Sequence, residues 1–272
     1  MNAIDAKFAQ LKAQQANALI PFLTIGDPDL DTSLALLCEL QAAGADMIEL
    51  GVPYSDPLAD GPVIQRASER ALSGKLTTIL DVIQLAQRAR NQGVTLPFIL
   101  FTYYNPILQL GLAQFFALAR KYELSGIIIP DLPIEEDAEV RALAEQHDIC
   151  LIPLVAPTSK QRIETIVSKA KGFVYCVSSL GVTGVRASFF ADLDGFLETV
   201  RHVAKVPIAV GFGISSREQI VNLSGKCDGV IVGSAIVKVI ETQFANAHDA
   251  QTRSKAVAAV GDFVRQLKGT SA

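Results

Sequence analysis

Eight short apolar runs, at 18–24, 46–51, 97–103, 126–131, 150–155, 173–178, 207–212 and 229–233, recur along the chain. They are almost continuously apolar instead of alternating, as expected of strands covered on both faces, which favours parallel over antiparallel pairing. Between them, Ile79, Val82, Ile83 and Ala86 fall at helical spacing, and Ile163, Ile166, Val167 and Ala170 do so again. Eight strand-and-helix units in 272 residues predict an α/β chain closed into a single (β/α)8 TIM barrel. No Pro- or Ser-rich linker divides it, so residues 1–272 read as one domain. Ile4, Phe8 and Leu11 predict a short N-terminal helix capping one end. A doubly wound open sheet also alternates strand and helix, but its dinucleotide-binding version carries G-x-G-x-x-G after an early strand. Here the first run leads into Thr24, Ile25, Gly26, Asp27 and Pro28, a different turn.

Composition closes off several functions. Half of the residues are hydrophobic and 19% are charged, enough to bury a large core. A net charge of −4 offers no basic field for a polyphosphate backbone, so nucleic acid is not an expected partner. Cys38, Cys150, Cys176 and Cys227 form no C-x-x-C, and two lie inside apolar runs; they read as reduced core residues of a cytoplasmic protein. The start of the chain shows no secretory signal. Residues 96–119 carry no charge and are long enough to span a bilayer, but Pro97, Asn105, Pro106, Gln109, Gly111 and Gln114 interrupt them. They read as a strand, a turn and a buried helix, not a membrane span.

In a barrel, chemistry sits at the carboxyl ends of the strands. The second run ends Met47, Ile48, Glu49, Leu50, Gly51. A carboxyl in so apolar a run is costly to ionise, and desolvation raises its pKa toward the range useful for proton transfer. Glu49 is therefore a candidate acid–base residue; the alternative is a structural Glu bonded to a neighbour. The loop that follows, 52–62, holds three prolines and two aspartates, Asp56 and Asp60, and reads as a shaped loop. Asp60 alternatively serves only as a turn or helix cap, since Asp-Gly-Pro is a turn signal. Late in the chain, Val182, Thr183 and Gly184 follow the sixth run, Gly211, Phe212 and Gly213 end the seventh, and Gly233 and Ser234 end the eighth and open a helix. Glycines that let backbone N–H groups approach, beside a helix N-terminus, predict a phosphate site, against the plainer reading that they ease tight turns.

Other chemistries lack their residues. His147, His202 and His248 all lie in segments that read as helices, which leaves no zinc cluster and no His-based triad. No G-x-S-x-G elbow occurs. Lysines lie outside the strand runs, and Lys205, before the seventh, stands at the wrong end of a barrel for a Schiff base. Carboxylate acid–base chemistry on a small phosphorylated substrate remains. If a carbon–carbon bond is cut without imine or metal, the substrate itself must hold the electrons.

The run 48–62, Ile-Glu-Leu-Gly-Val-Pro-Tyr-Ser-Asp-Pro-Leu-Ala-Asp-Gly-Pro, resembles the signature of the tryptophan synthase alpha-chain family. The resemblance extends from Pro21, Phe22, Leu23 and Thr24, with Gly26, Asp27 and Pro28, through 181–184 to 211–215 and 233–237, nearly the whole chain. It implies a carbon–carbon lyase of aromatic amino-acid biosynthesis that splits indole-3-glycerol phosphate into indole and glyceraldehyde 3-phosphate. Protonation of the indole at C3 then supplies the electron sink. By the resemblance, Glu49 exchanges protons between indole C3 and the glycerol hydroxyl, Asp60 accepts from the indole N–H, and Tyr175 touches both substrate and Glu49; a core tyrosine is the competing reading. Phe22, Leu100 and Phe212 form the slot for the indole ring, and Gly184, Phe212, Gly213, Gly233 and Ser234 hold the phosphate. Residues 179–187, with Thr183, form a lid. The resemblance implies no cofactor in this chain, and a beta-chain partner that carries pyridoxal phosphate, in an alpha2beta2 heterotetramer. Asp56, Asn105, Pro106 and the turn with Asp131 face that partner.

Two other readings stay open. One is a related phosphate-binding barrel, such as an isomerase of the same pathway or a free-standing indole-releasing lyase. The other is a partner-binding activator with weak chemistry of its own, for which the Pro-rich loop is contact surface.

Overall fold

The structure, a computed structural model, describes residues 1–73, 77–159, 162–177, 192–211 and 213–270. Its strands are β1 (Ala18–Thr24), β2 (Ile48–Gly51), β3 (Phe98–Phe101), β4 (Gly126–Ile128), β5 (Cys150–Leu151), β6 (Leu154–Val155), β7 (Val174–Val177), β8 (Ile208–Gly211) and β9 (Gly229–Val232). They pair in the order β5-β4-β3-β2-β1-β9-β8-β7-β6, every pair parallel.

Nine strands arise from eight apolar runs because the fifth run is broken. Pro153 has no N–H to give to a ladder. Before it, the Ile152 N–H donates to Ile127 O at 2.9 Å; after it, Pro153 O accepts from the Tyr175 N–H at 3.0 Å. The fifth strand thus pairs first with β4 and then with β7, and that hand-over closes the barrel.

Side chains alternate across this wall, as the period of two demands. Ile20 and Phe22, Met47, Ile99 and Phe101, Ile128, Phe173 and Tyr175 belong to the cluster inside the barrel. Leu19 and Leu23, Ile48 and Leu50, Phe98 and Leu100, Val174 and Cys176 belong to the larger cluster shared with the outer helices. Burying both layers accounts for runs that are apolar at every position. The expected helix at Ile79 spans Ile79–Asn91, with Val82, Ile83 and Ala86 buried. The one at Ile163 spans Ile163–Ser168, which leaves Ala170 just beyond its end.

The N-terminal helix, Ala3–Ala13, plugs the base with Ile4, Phe8 and Leu11. Asn2 fixes it there: its Oδ1 accepts from the Ile4 N–H, while its Nδ2 donates to Ser125 O at 2.9 Å and Asp148 O at 2.7 Å, carbonyls just ahead of β4 and β5. Residues 96–119 hold β3, the helix Tyr104–Leu110 and all but the end of the helix Leu112–Lys121. Among the described residues no helix is long and apolar enough to cross a membrane. Cys150, Cys176 and Cys227 are buried and all four cysteines are free thiols. Two histidines depart from the expectation of helices: His147 caps the end of Ala138–Gln146, and His248 lies in the connection between the last two helices.

Candidate active site

At the carboxyl end of the strands, Phe22, Glu49, Asp60, Ile64, Phe101, Tyr175, Gly213, Ile231, Gly233 and Ser234 surround one small cavity of about 30 Å³. Glu49 enters from β2, in register with Phe22 on β1 and Ile99 on β3. Its neighbours Ile48 and Leu50 face the outer layer, so alternation turns the carboxyl inward. It is 1% exposed and its Oε1 has no hydrogen-bond partner among the described residues. Burial pushes its pKa up to about 8, so Glu49 holds its proton at neutral pH.

The Thr24 hydroxyl, at the end of β1, is likewise buried and without a hydrogen-bond partner among the described residues. Unpaired buried polar atoms are rare in native interiors. The two stand on adjacent strands at this end of the barrel.

Asp60 comes from the loop, not from a strand. It precedes Gly61 and Pro62, and Pro62 opens the helix Pro62–Ser73, a position that suits proline. The Asp60 carbonyl accepts from Gln65 Nε2 at 2.8 Å, and its Oδ2 accepts from the Tyr103 hydroxyl at 3.1 Å. Burial raises Asp60 to about 6, against the lowering effect of the Tyr103 hydrogen bond. The Asp60 side chain thus lines the cavity, and its hydrogen bond to a side chain runs to Tyr103, just beyond the end of β3.

Ion pairs hold the surrounding helices. Asp27, buried in the turn after β1, takes Arg70 of Pro62–Ser73 in two contacts of 2.8 Å. Arg70 also reaches Glu241 of the helix Ser234–Phe244 at 3.1 Å, and Glu241 pairs with Arg66 and Lys238. The hydrogen bond from Arg66, with that from Lys238, keeps Glu241 low, at about 2. This network ties the helix behind Asp60 to the helix that begins at Gly233.

Ser234–Phe244 starts with Gly233 as its cap, and Gly233 and Ser234 line the cavity. The first N–H groups of a helix lack partners within it and favour an anion. Gly213, at φ 86°, takes the left-handed conformation that glycine adopts freely. Tyr175 stands on β7 inside the barrel; burial, with Glu49 and Asp60 nearby, raises its hydroxyl pKa well above the ordinary value. A Cβ at Gly211 would collide with the Tyr175 hydroxyl, so glycine there makes room for it.

One expected wall residue is elsewhere. Leu100 does not face the slot: it is fully buried in the outer cluster, and its neighbour Phe101 lines the cavity, edge-on to Phe22 with ring centroids 5.6 Å apart. Moving an assignment by one residue along a strand moves it to the other face. Thr183, Gly184, Phe212 and the lid at 179–187 lie outside the described residues. Ile64, Phe101, Tyr103 and Ile231 were not singled out from sequence. Tyr103 carried a usable signal, a polar group at the carboxyl end of the third run.

The residues expected to face a partner gather around the same end. Asp56, Asn105 and Asp131 are exposed and Pro106 is partly so. Asp56 accepts from the Ser55 hydroxyl at 2.6 Å, Asn105 Nδ2 donates to the Tyr54 hydroxyl at 3.4 Å, and Asp131 accepts from the Tyr104 N–H at 2.9 Å. Leu58 and Leu108, in the same two segments, are 80% and 50% exposed. Among the described residues no group of His, Cys, Asp and Glu could hold a metal ion.

A closed parallel barrel that desolvates an acid where its strands end belongs to the enzymes that act on small molecules within the barrel mouth. A sequence profile described as tryptophan synthase alpha chain matches residues 8–268. The alpha chain of Geobacillus sp. (strain WCH70) is 54% identical over 93% of this chain and 95% of its own, and that of Bacillus subtilis (strain 168) 50% over 92% and 93%. Among solved structures, tryptophan synthase subunit alpha from Legionella pneumophila str. Paris superposes with a TM-score of 0.89 at 34% identity, over 99% of this chain and 98% of that one. A chain of the tryptophan synthase a2b2 complex from Pyrococcus furiosus gives 0.83 at 35%, over 93% and 98%. The chain belongs to the tryptophan synthase alpha-chain family.

Proposed function

We propose that Glu49 and Asp60 together cleave indole-3-glycerol phosphate to indole and glyceraldehyde 3-phosphate, the carbon–carbon lyase reaction of this family. The reading is supported by Glu49: buried, with its pKa pushed up to about 8 by that burial and one oxygen without a hydrogen-bond partner among the described residues, in the same cavity as a second carboxyl of lower pKa. Two carboxyls whose surroundings set their pKa values apart divide the roles of acid and anion.

The Glu49 carboxyl gives its proton to indole C3, which leaves a cation spread over C2 and the ring nitrogen. Asp60, ionised, accepts the hydrogen bond of the ring N–H and stabilises that charge as it forms. The Glu49 carboxylate then takes the proton of the hydroxyl on the adjacent glycerol carbon. The bond from C3 to that carbon breaks, its electron pair neutralises the ring, and the hydroxyl carbon becomes the aldehyde of glyceraldehyde 3-phosphate. Glu49 ends protonated, as it began, so the step needs no oxidant, no reductant and no net proton.

Phe22 and Phe101 flank the indole, and the Tyr175 hydroxyl meets both Glu49 and substrate. Gly213, Gly233 and Ser234, with Gly184 and Phe212, take the phosphate, supported by the helix start at Ser234. The chain carries no cofactor of its own in this reading. Its partner is the beta chain, which holds pyridoxal phosphate, in an alpha2beta2 heterotetramer of the cytoplasm. The exposed Asp56, Asn105 and Asp131, with Leu58 and Leu108 beside them, support that docking face.

Indole release from indole-3-glycerol phosphate by wild type and Glu49→Gln, with and without a beta chain, tests the proposal. Release that requires Glu49 and rises with the beta chain is the expected result. Equal release by both proteins, or none from wild type under any condition, overturns it.

A further inference from the structure

We propose that Tyr103 is the positioning residue of Asp60: it aims and ionises the carboxyl that receives the substrate's ring N–H, and so sets the acid side of the reaction's pH range. The inference rests on the role given to Asp60 above and adds a residue outside it.

The hydroxyl of Tyr103 makes two hydrogen bonds, and their directions are fixed. The Ala59 N–H donates to it at 2.9 Å, which uses its acceptor side and leaves its proton for Asp60 Oδ2 at 3.1 Å. A donor on a carboxylate favours the charged form, and an amide feeding the donor polarises it further. With Oδ2 committed to Tyr103, Oδ1 is the oxygen presented to substrate. Tyr103 also holds the loop itself, because Ala59 and Asp60 are adjacent in sequence and both bond to one hydroxyl.

That hydroxyl is well anchored. Tyr103 is 2% exposed and its ring stacks on Tyr54 from the start of the same loop, centroids 4.9 Å apart and planes 23° apart. The next residue, Tyr104, has its N–H held by the Asp131 carboxylate. The loop that carries Asp60 is therefore gripped at Tyr54 by the ring and at Ala59 and Asp60 by the hydroxyl, all from one side chain at the end of β3. The titratable groups that face Asp60 are Tyr103, Glu49 from β2 and Tyr175 from β7, and Asp131 acts on Tyr103 from the far side. Tyr103 alone among them lowers the Asp60 pKa.

The test is Tyr103→Phe, which keeps the ring and its stack and removes the one oxygen. The Asp60 carboxyl is titrated directly by carbon-13 NMR, assigned with Asp60→Asn, and the pH profile of indole release is measured on the complex with the beta chain. Asp60 is expected to titrate about one pH unit higher, and the acid limb to move with it, so that release near pH 6 falls about fivefold while the alkaline limb stays in place. A fluorotyrosine at 103, a stronger donor of nearly the same shape, is expected to move both the other way. Unchanged Asp60 titration in both variants overturns the proposal. The NMR titration reads Tyr103 whether or not the chain cleaves substrate, which separates this failure from failure of the lyase reading.

Discussion

The ring of Phe22 fills the space that a side chain at position 51 would need: its Cε2 lies 2.6 Å from where a Cβ on Gly51 would stand, with Leu23 O at 2.9 Å on the backbone side. In the β1–β2 ladder Phe22 pairs with Glu49 and Gly51 with Thr24, so the two stand diagonally across it, and the glycine leaves room for the aromatic ring. Gly51→Ala must therefore displace Phe22 or part the strands. Overpacking of this kind costs about 1–3 kcal/mol. Steady-state kinetics and thermal unfolding on the same sample should show a higher KM together with a lower Tm; a normal KM would mean that Phe22 is no wall of the slot.

Glu49→Gln is expected to lose activity by a factor of about 10²–10⁴, the usual worth of a placed acid–base group. It should also stabilise the fold, and more so as pH rises. The Glu49 pKa goes from the model-compound value of 4.5 to about 8 on folding, so the protonated carboxyl is fully compatible with the fold below about 4.5, and stability is lost as pH climbs toward 8. The amide escapes that loss. Denaturant titrations of both proteins at pH 5 and pH 8.5 decide it, and equal differences at the two pH values would count against a desolvated Glu49.

The rate should follow a bell-shaped pH profile. Asp60 must be ionised, which sets the acid limb near its value of about 6, and Glu49 must hold its proton, which sets the alkaline limb near about 8. The profile of kcat/KM reports these groups in the free enzyme. Asp60→Asn is expected to lower the rate and flatten the acid limb alone.

Asp56→Ala and Asp60→Ala separate assembly from chemistry. Asp56 is exposed and among the described residues accepts from its neighbour Ser55, while Asp60 is buried in the cavity. Sedimentation with the beta chain should find assembly weakened for Asp56→Ala only, and indole release by the saturated complex should be lost for Asp60→Ala only. If Asp60→Ala retains full release, the loop is contact surface and not part of the reaction.

Leu100→Ala and Phe101→Ala test the face each residue takes. Leu100 lies in the outer layer, so its truncation is expected to cost about 2–5 kcal/mol of stability with KM unchanged. Phe101→Ala should raise KM, since that ring meets Phe22 in the cavity.

This pair also shows where a sequence stops being readable. Eight runs and a helical plug could be seen because each must bury apolar surface, a demand written into consecutive residues. In a strand that is apolar on both faces, nothing local says which alternate set points inward, so Leu100 and Phe101 could be exchanged. Glu49 was visible because a single carboxyl stood out against Ile48 and Leu50. Tyr103 showed only as a polar group at the end of a run; its meaning comes from Asp60, 43 positions earlier, and that contact exists only after the loop folds back over β3. The break at Pro153 was hidden for a similar reason: a proline in an apolar run shows that one N–H is missing, not that the strand changes partners there.

That break also fixes the circumference of the barrel. The two edges of a nine-strand ribbon, β5 and β6, are joined by the dipeptide Ile152–Pro153 and by no ladder between them. A ladder can slip by a residue pair, but a peptide link cannot lengthen. The register of β5 on β4 and that of β6 on β7 are thereby made to agree, and every other strand is threaded on the same loop. How far the wall bearing Glu49 stands from the wall bearing Tyr175 is thus gauged across the ring, by two residues with no acid–base chemistry of their own.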